Sequence, residues 1–186
     1  MIAIHSLSDF DEAGNPTWTF SVAAGRAAAM FAVLAGVSIS FIAERRQRAL
    51  GADSTRIVAS LLTRALLIGL IGLMLGYTDP AYGTVILTYY ALMFLLAVPL
   101  IYLSTPVLVV IAVVNGIAMP LLSQLVRPRL SGPITDQASF ADLFHRPQQL
   151  LTTLAFTGEY PALVWMTYIC TGLVVGRLAL STARTA

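Results

Sequence analysis

The chain has 186 residues, of which 58% are hydrophobic and only 11% are charged, and its mean hydropathy is +0.82. Soluble domains usually carry about 25% charged residues. This shortage excludes a disordered tail, a basic nucleic-acid-binding domain and an ordinary cytosolic enzyme. The formal net charge is +2, and all eleven basic residues are arginine. The composition predicts a multi-pass membrane protein whose partner is the lipid bilayer and which binds no nucleic acid.

Five apolar segments are long enough to cross a bilayer, which takes roughly 20 residues in a helix. Residues 80–126 carry no charge, and this stretch is too long for one crossing and suits two. Pro106 divides it, because a residue before proline avoids helical geometry and proline starts helices well. In chain order the segments are A (21–43), B (57–77), C (84–103), D (106–125) and E (160–176).

Apolar segments of this length must satisfy their backbone groups internally, so they form helices and not open strands. The sequence therefore predicts an all-α fold, a polytopic transmembrane bundle of about five helices. Residues 139–151, between D and E, are expected to form a short amphipathic helix broken at Pro147. No linker or repeat divides the chain, so residues 1–186 are predicted to form one membrane-embedded domain.

The arginines predict the orientation of these helices. The loop between A and B holds Arg45, Arg46, Arg48 and Arg56, whereas the residues before segment A hold three acids and no base. Because an excess of arginine marks the cytoplasmic side, we expect this loop and the C-terminus inside. Residues 127–157 then form an extracytoplasmic loop.

Both ends of the chain are abrupt. Residues 1–4 are apolar and resemble the last turn of a helix whose beginning is missing, and the chain stops just past segment E. We therefore expect a fragment of a longer protein. The missing helices of that protein, or further copies of this chain, would complete a larger bundle.

Small residues at four-residue spacing predict where the helices touch, because they allow close backbone approach in lipid. Segments A, B and E each carry such a stripe, and plain bundle packing is the expected role of all three. The stripes are Ala28, Ala32 and Gly36 in A, Gly69, Gly72 and Gly76 in B, and Gly172 and Gly176 in E.

Two ionisable side chains lie within the apolar segments, where charge is costly and is a sign of function. Arg26 is near the outer end of segment A. Arg64 is eight residues past Arg56, or about 12 Å further along a helix. A guanidinium group suits phosphate or carboxylate. The alternative is that each side chain extends along the lipid to reach the headgroups.

Titratable and hydrogen-bonding groups converge at the predicted outer ends of segments A, C and E. They are Arg26, Tyr89, Tyr90, Glu159 and Tyr160. His5 is expected on the same side, and imidazole is the commonest general base. Such a convergence is what an acid–base site needs. Aromatic residues also anchor membrane proteins at the interface, and Trp165 is assigned to that role.

The sequence has no motif for a disulfide, a metal site or a common catalytic centre. The single cysteine can form neither an internal disulfide nor a zinc pair. No phosphate loop, paired-carboxylate motif, nucleophile elbow or metal-ligand spacing occurs in the sequence. The sequence therefore predicts no metal site.

Several stretches resemble one protein family. Residues 25–38, GRAAAMFAVLAGVS, resemble the second-helix signature of bacterial membrane proteins related to heparan-alpha-glucosaminide N-acetyltransferase. Residues 157–168, TGEYPALVWMTY, and the following 172–178 resemble a later signature, and the stretches at 64–67 and 86–94 are also similar. The resemblance spans nearly the whole chain.

The resemblance implies acetyl transfer across a bacterial cytoplasmic membrane. In that family acetyl-CoA is used on the cytoplasmic side, and the acetyl group reaches an acceptor on the far side, here a glycan or amino sugar. A histidine near the outer end of the first helix is the catalytic group, and His5 matches that position. The family's Arg-Gly pair before this histidine is absent from the sequence.

The resemblance also implies roles for the other candidates. His5 acts as a base or transient acyl carrier, while Arg26 and Tyr160 orient the acceptor or stabilise the developing oxyanion. Arg64 holds a phosphate of CoA. Tyr89, Tyr90 and Glu159 bind the acceptor.

The alternative from another class is a non-catalytic membrane component, such as a transporter fragment or an assembly subunit. In that case Arg26 and Arg64 face a conduit or a partner helix, and His5 is dispensable. A remnant without function is a third possibility.

Overall fold

The computed structural model describes residue 17 and residues 25–50, 54–78, 85–129 and 137–185. Within these ranges the structure contains helices and turns and no strand, which confirms the predicted all-α bundle. The α-helices are α1 (Arg26–Leu50), α2 (Ser54–Leu75), α3 (Leu87–Leu100), α4 (Thr105–Val126), α5 (Phe140–His145), α6 (Pro147–Thr152) and α7 (Ala162–Thr185). A 3-10 turn (Arg127–Arg129) follows α4, and a π turn (Thr153–Thr157) follows α6.

Four helices, α1, α2, α4 and α7, are long and apolar enough to cross a membrane. The fifth, α3, has 14 residues and rises about 21 Å, so it is shorter than predicted segment C. It carries Pro99 in its last turn, and residues 101–103 form a turn before α4 begins at Thr105. The predicted break before Pro106 is therefore confirmed.

The arginine-rich region between the first two spans is mostly helical. Arg45, Arg46 and Arg48 lie in the last turns of α1, and Arg56 lies in the first turn of α2. The predicted loop was longer than the observed one. Hydropathy shows where the apolar residues of a helix end, whereas arginine, glutamine and alanine can continue the helix into water. Similarly, α7 continues to Thr185 past the end of segment E.

The closest helix pair is α1 with α7, and the two helices run in parallel. Gly36 lies against Gly172, and a methyl group on Gly172 would collide with the backbone carbonyl of Val33. One turn further, the Ser40 hydroxyl donates a hydrogen bond to the Leu173 carbonyl at 2.8 Å. The predicted small-residue stripes are therefore contact faces, and they bring two helix backbones together without intervening side chains.

The α2–α3 pair is antiparallel and also uses small residues. Gly69 lies against Ala91, and Gly72 lies against the backbone of Thr88. Gly76, at the end of α2, packs on the carbonyl of Ala138 just before α5. This last contact fixes the segment that contains α5 and α6 over one end of the bundle, which we call the outer end, following the predicted orientation.

Polar side chains join α4 to α7 and to the π turn that follows α6. The Asn115 side chain, in mid-span, donates hydrogen bonds to the Leu163 carbonyl at 2.8 Å and the Thr167 hydroxyl at 3.0 Å. Ser123 donates to the Phe156 carbonyl at 3.1 Å. Interhelical hydrogen bonds of this kind contribute roughly 0.6 kcal/mol each in a membrane protein.

The outer segment is a pair of short helices, as predicted for residues 139–151. They meet at Arg146, and Pro147 starts α6. The buried Asp142 carboxylate accepts hydrogen bonds from the Ser139 backbone N–H at 3.0 Å, the Ser139 hydroxyl at 2.8 Å and the Arg146 guanidinium at 2.6 Å. This network caps α5, and the placement of residues 127–157 outside the membrane stays a prediction.

The first testable prediction concerns the α1–α7 contact. Gly172→Ala is expected to lower the free energy of unfolding by about 1–3 kcal/mol, because the new methyl group meets backbone atoms that cannot move aside. Gly116→Ala is the matched control, since its methyl group would meet only the Thr167 side chain at 3.2 Å or more. Thermal unfolding in detergent micelles measures both, and equal stability of the two variants would contradict the prediction.

Candidate functional site

The outer ends of α3 and α7 meet through aromatic rings. Tyr89, in the first turn of α3, and Tyr160, just before α7, pack edge to face with ring centroids 5.8 Å apart. Tyr160 also packs on Trp165, with centroids 5.3 Å apart, and Trp165 packs on Tyr168 at 5.4 Å. We call these four residues the outer aromatic cluster. Trp165 therefore packs on another aromatic side chain of the protein. The prediction that it anchors the protein at the membrane interface did not include this contact.

A tight turn before α7 positions Tyr89. The π turn closes with a hydrogen bond from the Gly158 N–H to the Thr153 carbonyl at 2.8 Å. A side chain on Gly158 would overlap the Tyr89 hydroxyl, which also has a backbone hydrogen bond with Glu159. Glycine at this position therefore lets the phenol of α3 contact the backbone that leads into α7.

The third helix of the predicted site, α1, is joined through Tyr90. Its hydroxyl donates a hydrogen bond to the Ala28 carbonyl at 3.3 Å, and Ala28 lies two residues after Arg26. Successive residues of α3 therefore contact two different neighbours, Tyr89 the start of α7 and Tyr90 the start of α1. The structure brings Tyr89, Tyr90, Glu159 and Tyr160 together, and their roles in binding stay predictions.

Tyr160 is in a less polar environment than water and precedes the apolar span of α7. Burial raises the pKa of its phenol above the ordinary 10.0, and the nearby Glu159 carboxylate raises this pKa further. The Tyr160 hydroxyl therefore keeps its proton at neutral pH and is available as a hydrogen-bond donor. Such a donor suits a developing negative charge on oxygen.

The two intramembrane arginines are both exposed. Arg26 lies at the outer end of α1, and its guanidinium makes no hydrogen bond or ion pair within the ranges that the structure describes. Arg64 is on the opposite half of α2, eight residues before Gly72, hence about 12 Å from the level of Thr88. The structure does not bring Arg64, which lies at the middle of α2, to the outer aromatic cluster, and its role stays a prediction.

His5, the predicted catalytic residue, lies outside the described residues. Its position relative to Arg26 and Tyr160 therefore stays a prediction. In the described part of the chain, no group of three or more histidine, cysteine, aspartate or glutamate residues is arranged to hold a metal ion.

The inner end of the bundle has a polar pocket that the sequence did not predict. Its volume is about 270 Å³, and Ser40, Glu44 and Arg177 line it. The Arg177 guanidinium donates to the carbonyls of Leu103 at 2.5 Å and Ile101 at 2.9 Å, so it caps the end of α3. With these donors in use and a carboxylate in the same pocket, Arg177 is a poor phosphate ligand.

Arg64 fits a phosphate group better than Arg177. It is exposed, and its donors have no protein acceptor among the residues that the structure describes. A guanidinium with free donors can bind an anionic oxygen in a bidentate manner. The residues present are therefore compatible with the predicted role of Arg64 toward CoA, which stays a prediction.

Sequence reasoning also missed polar residues inside the bundle. The buried hydroxyls of Thr88 and Thr157 have no hydrogen-bond partner in the described part of the chain. Thr157 ends the π turn that leads to Gly158, and π turns occur frequently at functional sites. Neither position has a distinctive pattern in the sequence, because a lone threonine in an apolar segment usually bonds to its own helix.

Comparison with known proteins identifies a family that matches the whole chain. The family model described as heparan-alpha-glucosaminide N-acetyltransferase, catalytic, matches residues 1–186. Searches of the curated proteins and of the solved structures gave no match. The match covers every element described above, including both ends of α7 and the turn at Gly158.

The second prediction uses the environment of Tyr160. Because its pKa is raised in the folded protein, the folded state holds this proton more tightly than the unfolded chain. That contribution to stability is present below pH 10 and is lost as the pH rises through the folded pKa. Tyr160→Phe is therefore expected to lose less stability than the wild type as the pH rises above 10.

The free energy of unfolding, measured against pH in detergent, tests this expectation. Tyr102→Phe is the control, because it removes an exposed hydroxyl group far from the cluster. It should keep the profile of the wild type. Parallel profiles for the wild type and Tyr160→Phe would show that the Tyr160 phenol is not in a less polar environment.

Proposed function

The chain belongs to the heparan-alpha-glucosaminide N-acetyltransferase catalytic family of membrane acetyltransferases, and on that premise we propose that it moves an acetyl group across a membrane. The match over residues 1–186 is the observation that carries the proposal. The donor is acetyl-CoA, which the family uses, taken on the cytoplasmic side. The acceptor is an extracytoplasmic glycan or amino sugar, and the membrane is a bacterial cytoplasmic membrane.

The proposed reaction joins an acceptor hydroxyl or amine to the acetyl carbon. The His5 imidazole takes the proton of the acceptor, a new C–O or C–N bond forms, and the C–S bond of the thioester breaks. The CoA sulfur leaves as a thiolate and takes this proton from His5. In the carrier version the acetyl group moves first to the His5 ring and then to the acceptor. Acetyl-CoA supplies the activated acetyl group in both versions.

The outer aromatic cluster supports the placement of the acceptor. Tyr160 keeps its proton and can donate to the oxygen on which negative charge develops, and Arg26, at the same end of the bundle, is exposed and can do the same. Tyr89 and Tyr90 of α3 and Glu159 of the turn before α7 lie at this same end of the bundle. Tyrosine hydroxyls and a carboxylate can hydrogen-bond the hydroxyls and the amine of an amino sugar.

The donor side is assigned to the other half of the bundle. The exposed Arg64 guanidinium binds a phosphate of CoA, while the pantetheine arm reaches toward the outer half. Further helices of a longer protein, or a second copy of this chain, would enclose this path.

One observation favours the alternative, a non-catalytic membrane component. Both Arg26 and Arg64 are exposed, which is also what a contact with a partner helix requires. In that case His5 is dispensable and the cluster only joins helices. Activity measurements separate the two functions.

The third prediction tests the catalytic histidine. His5→Ala is expected to lower the rate of acetyl transfer at least 100-fold, since general acid–base catalysis contributes typically 10²–10⁴-fold. Membrane vesicles that contain the protein are supplied with radiolabelled acetyl-CoA and with glucosamine-terminated glycan. The control is His145→Ala, which changes an exposed residue at the end of α5 and should keep full activity. Equal activity of His5→Ala and the wild type would exclude both roles of His5.

The fourth prediction tests the donor side. Arg64→Gln is expected to raise KM for acetyl-CoA about 10- to 100-fold, because a hydrogen bond to a charged group contributes roughly 1.5–3 kcal/mol, and to change kcat less. Arg64→Lys should recover part of the loss. Arg129→Gln is the control, because Arg129 bonds to the Leu125 carbonyl on the outer side. An unchanged KM in Arg64→Gln would show that Arg64 only reaches for lipid headgroups.

A further inference from the structure

An apolar groove of about 770 Å³ lies between α2 and α3, and none of the proposed site residues lines it. Its floor is formed by small or buried residues, Ala65, Gly69 and Leu73 of α2 and Ala91 of α3. The volume is within the range of about 300–1,000 Å³ that is typical of small-molecule sites. The groove is therefore large enough for a ligand and is separate from the outer aromatic cluster.

The mouth of the groove opens on the surface of the membrane spans. Leu62, Leu66, Leu70 and Leu95 line it and are 43–62% exposed, and all four lie in apolar helices. In a bilayer, lipids lie in front of this mouth wherever no further helix covers it. An acyl chain can therefore enter the groove sideways from the hydrocarbon layer.

Short helices cover the outer end of the groove. Leu143 of α5 and Pro147 and Leu150 of α6 close it there. The neighbouring Phe144 is 77% exposed on a helix that also carries the Asp142–Arg146 ion pair. An exposed aromatic ring beside charged groups is typical of the membrane interface. The outer end of the groove therefore lies at the level where the ester groups of lipids lie.

One polar side chain lines the groove at this end. Thr88 is 4% exposed, and its hydroxyl has no partner within the described residues. Its side chain lines the groove beside Gly72, and threonine in a helix has two accessible χ1 rotamers. A lipid ester brings a free carbonyl acceptor to this hydroxyl. A helix of a second copy brings carbonyls that are already hydrogen-bonded within that helix.

We propose that this groove binds an acyl chain of a glycerophospholipid from the surrounding bilayer, with the ester carbonyl of that chain accepting a hydrogen bond from Thr88. The lipid fills the space between α2 and α3 below the α5–α6 pair. This site is independent of acetyl transfer, and its test needs no activity measurement.

Native mass spectrometry of the purified protein in detergent, titrated with phosphatidylglycerol, tests the site. The wild type should retain a phospholipid that Leu95→Trp does not, because the larger ring fills the mouth without altering the buried floor. Val113→Trp is the matched control, since Val113 is exposed on α4 outside the groove. Thr88→Val should weaken binding about fivefold, as the loss of one hydrogen bond of about 1 kcal/mol predicts.

Four results would overturn the proposal. The first is equal lipid retention by the wild type and Leu95→Trp. The second is a wild-type oligomer that Leu95→Trp dissociates with no change in bound lipid, because the occupant would then be a second copy. The third is unchanged affinity in Thr88→Val, which would remove the ester contact. Glycerophosphoglycerol, the headgroup without acyl chains, should not bind, and competition by it would place the ligand at a headgroup site.

Discussion

The close contact between α1 and α7 is the constraint on which the rest of the structure depends. With Gly36 against Gly172, the two backbones meet directly, and their crossing sets how far apart the helix ends lie. Lipid provides no hydrophobic driving force between apolar helices, so packing at van der Waals distance and hydrogen bonds must hold them together. Ser40 adds such a hydrogen bond beside this contact. The position of Ala28 at one end of α1 relative to Tyr160 at the start of α7 follows from this crossing.

The short helix α3 is held in place by contacts with the α1–α7 pair. Its outer end is held by two phenols, Tyr89 against Gly158 and Tyr90 on the Ala28 carbonyl, and its inner end is held by Arg177. A helix of 14 residues does not reach across a hydrocarbon layer of about 30 Å. The contacts at its two ends, with α1, α7 and the turn before α7, therefore fix the position of α3.

Hydropathy and the proline positions predicted the helical bundle. The features of the structure that were not predicted depend on contacts between residues that are distant in the sequence. The breaks at Pro106 and Pro147 follow from the local restriction that proline imposes, and the glycine stripes follow from spacing alone. The π turn before Gly158 has no such local cause, and Tyr89, which packs against it, belongs to a different helix. For the same reason Asn115, Trp165 and Thr88 were not recognised as contact residues. The aromatic part of the candidate site was identifiable by residue type, whereas its linkage through backbone groups was not.

Thr88 and Tyr89 show how one helix separates two environments. They are adjacent in sequence and about 100° apart around the helix axis. Tyr89 lies in the outer aromatic cluster against Gly158, and Thr88 lines the apolar groove against Gly72. A change that rotated α3 would move both side chains at once, since each is fixed to its own glycine on a different neighbour.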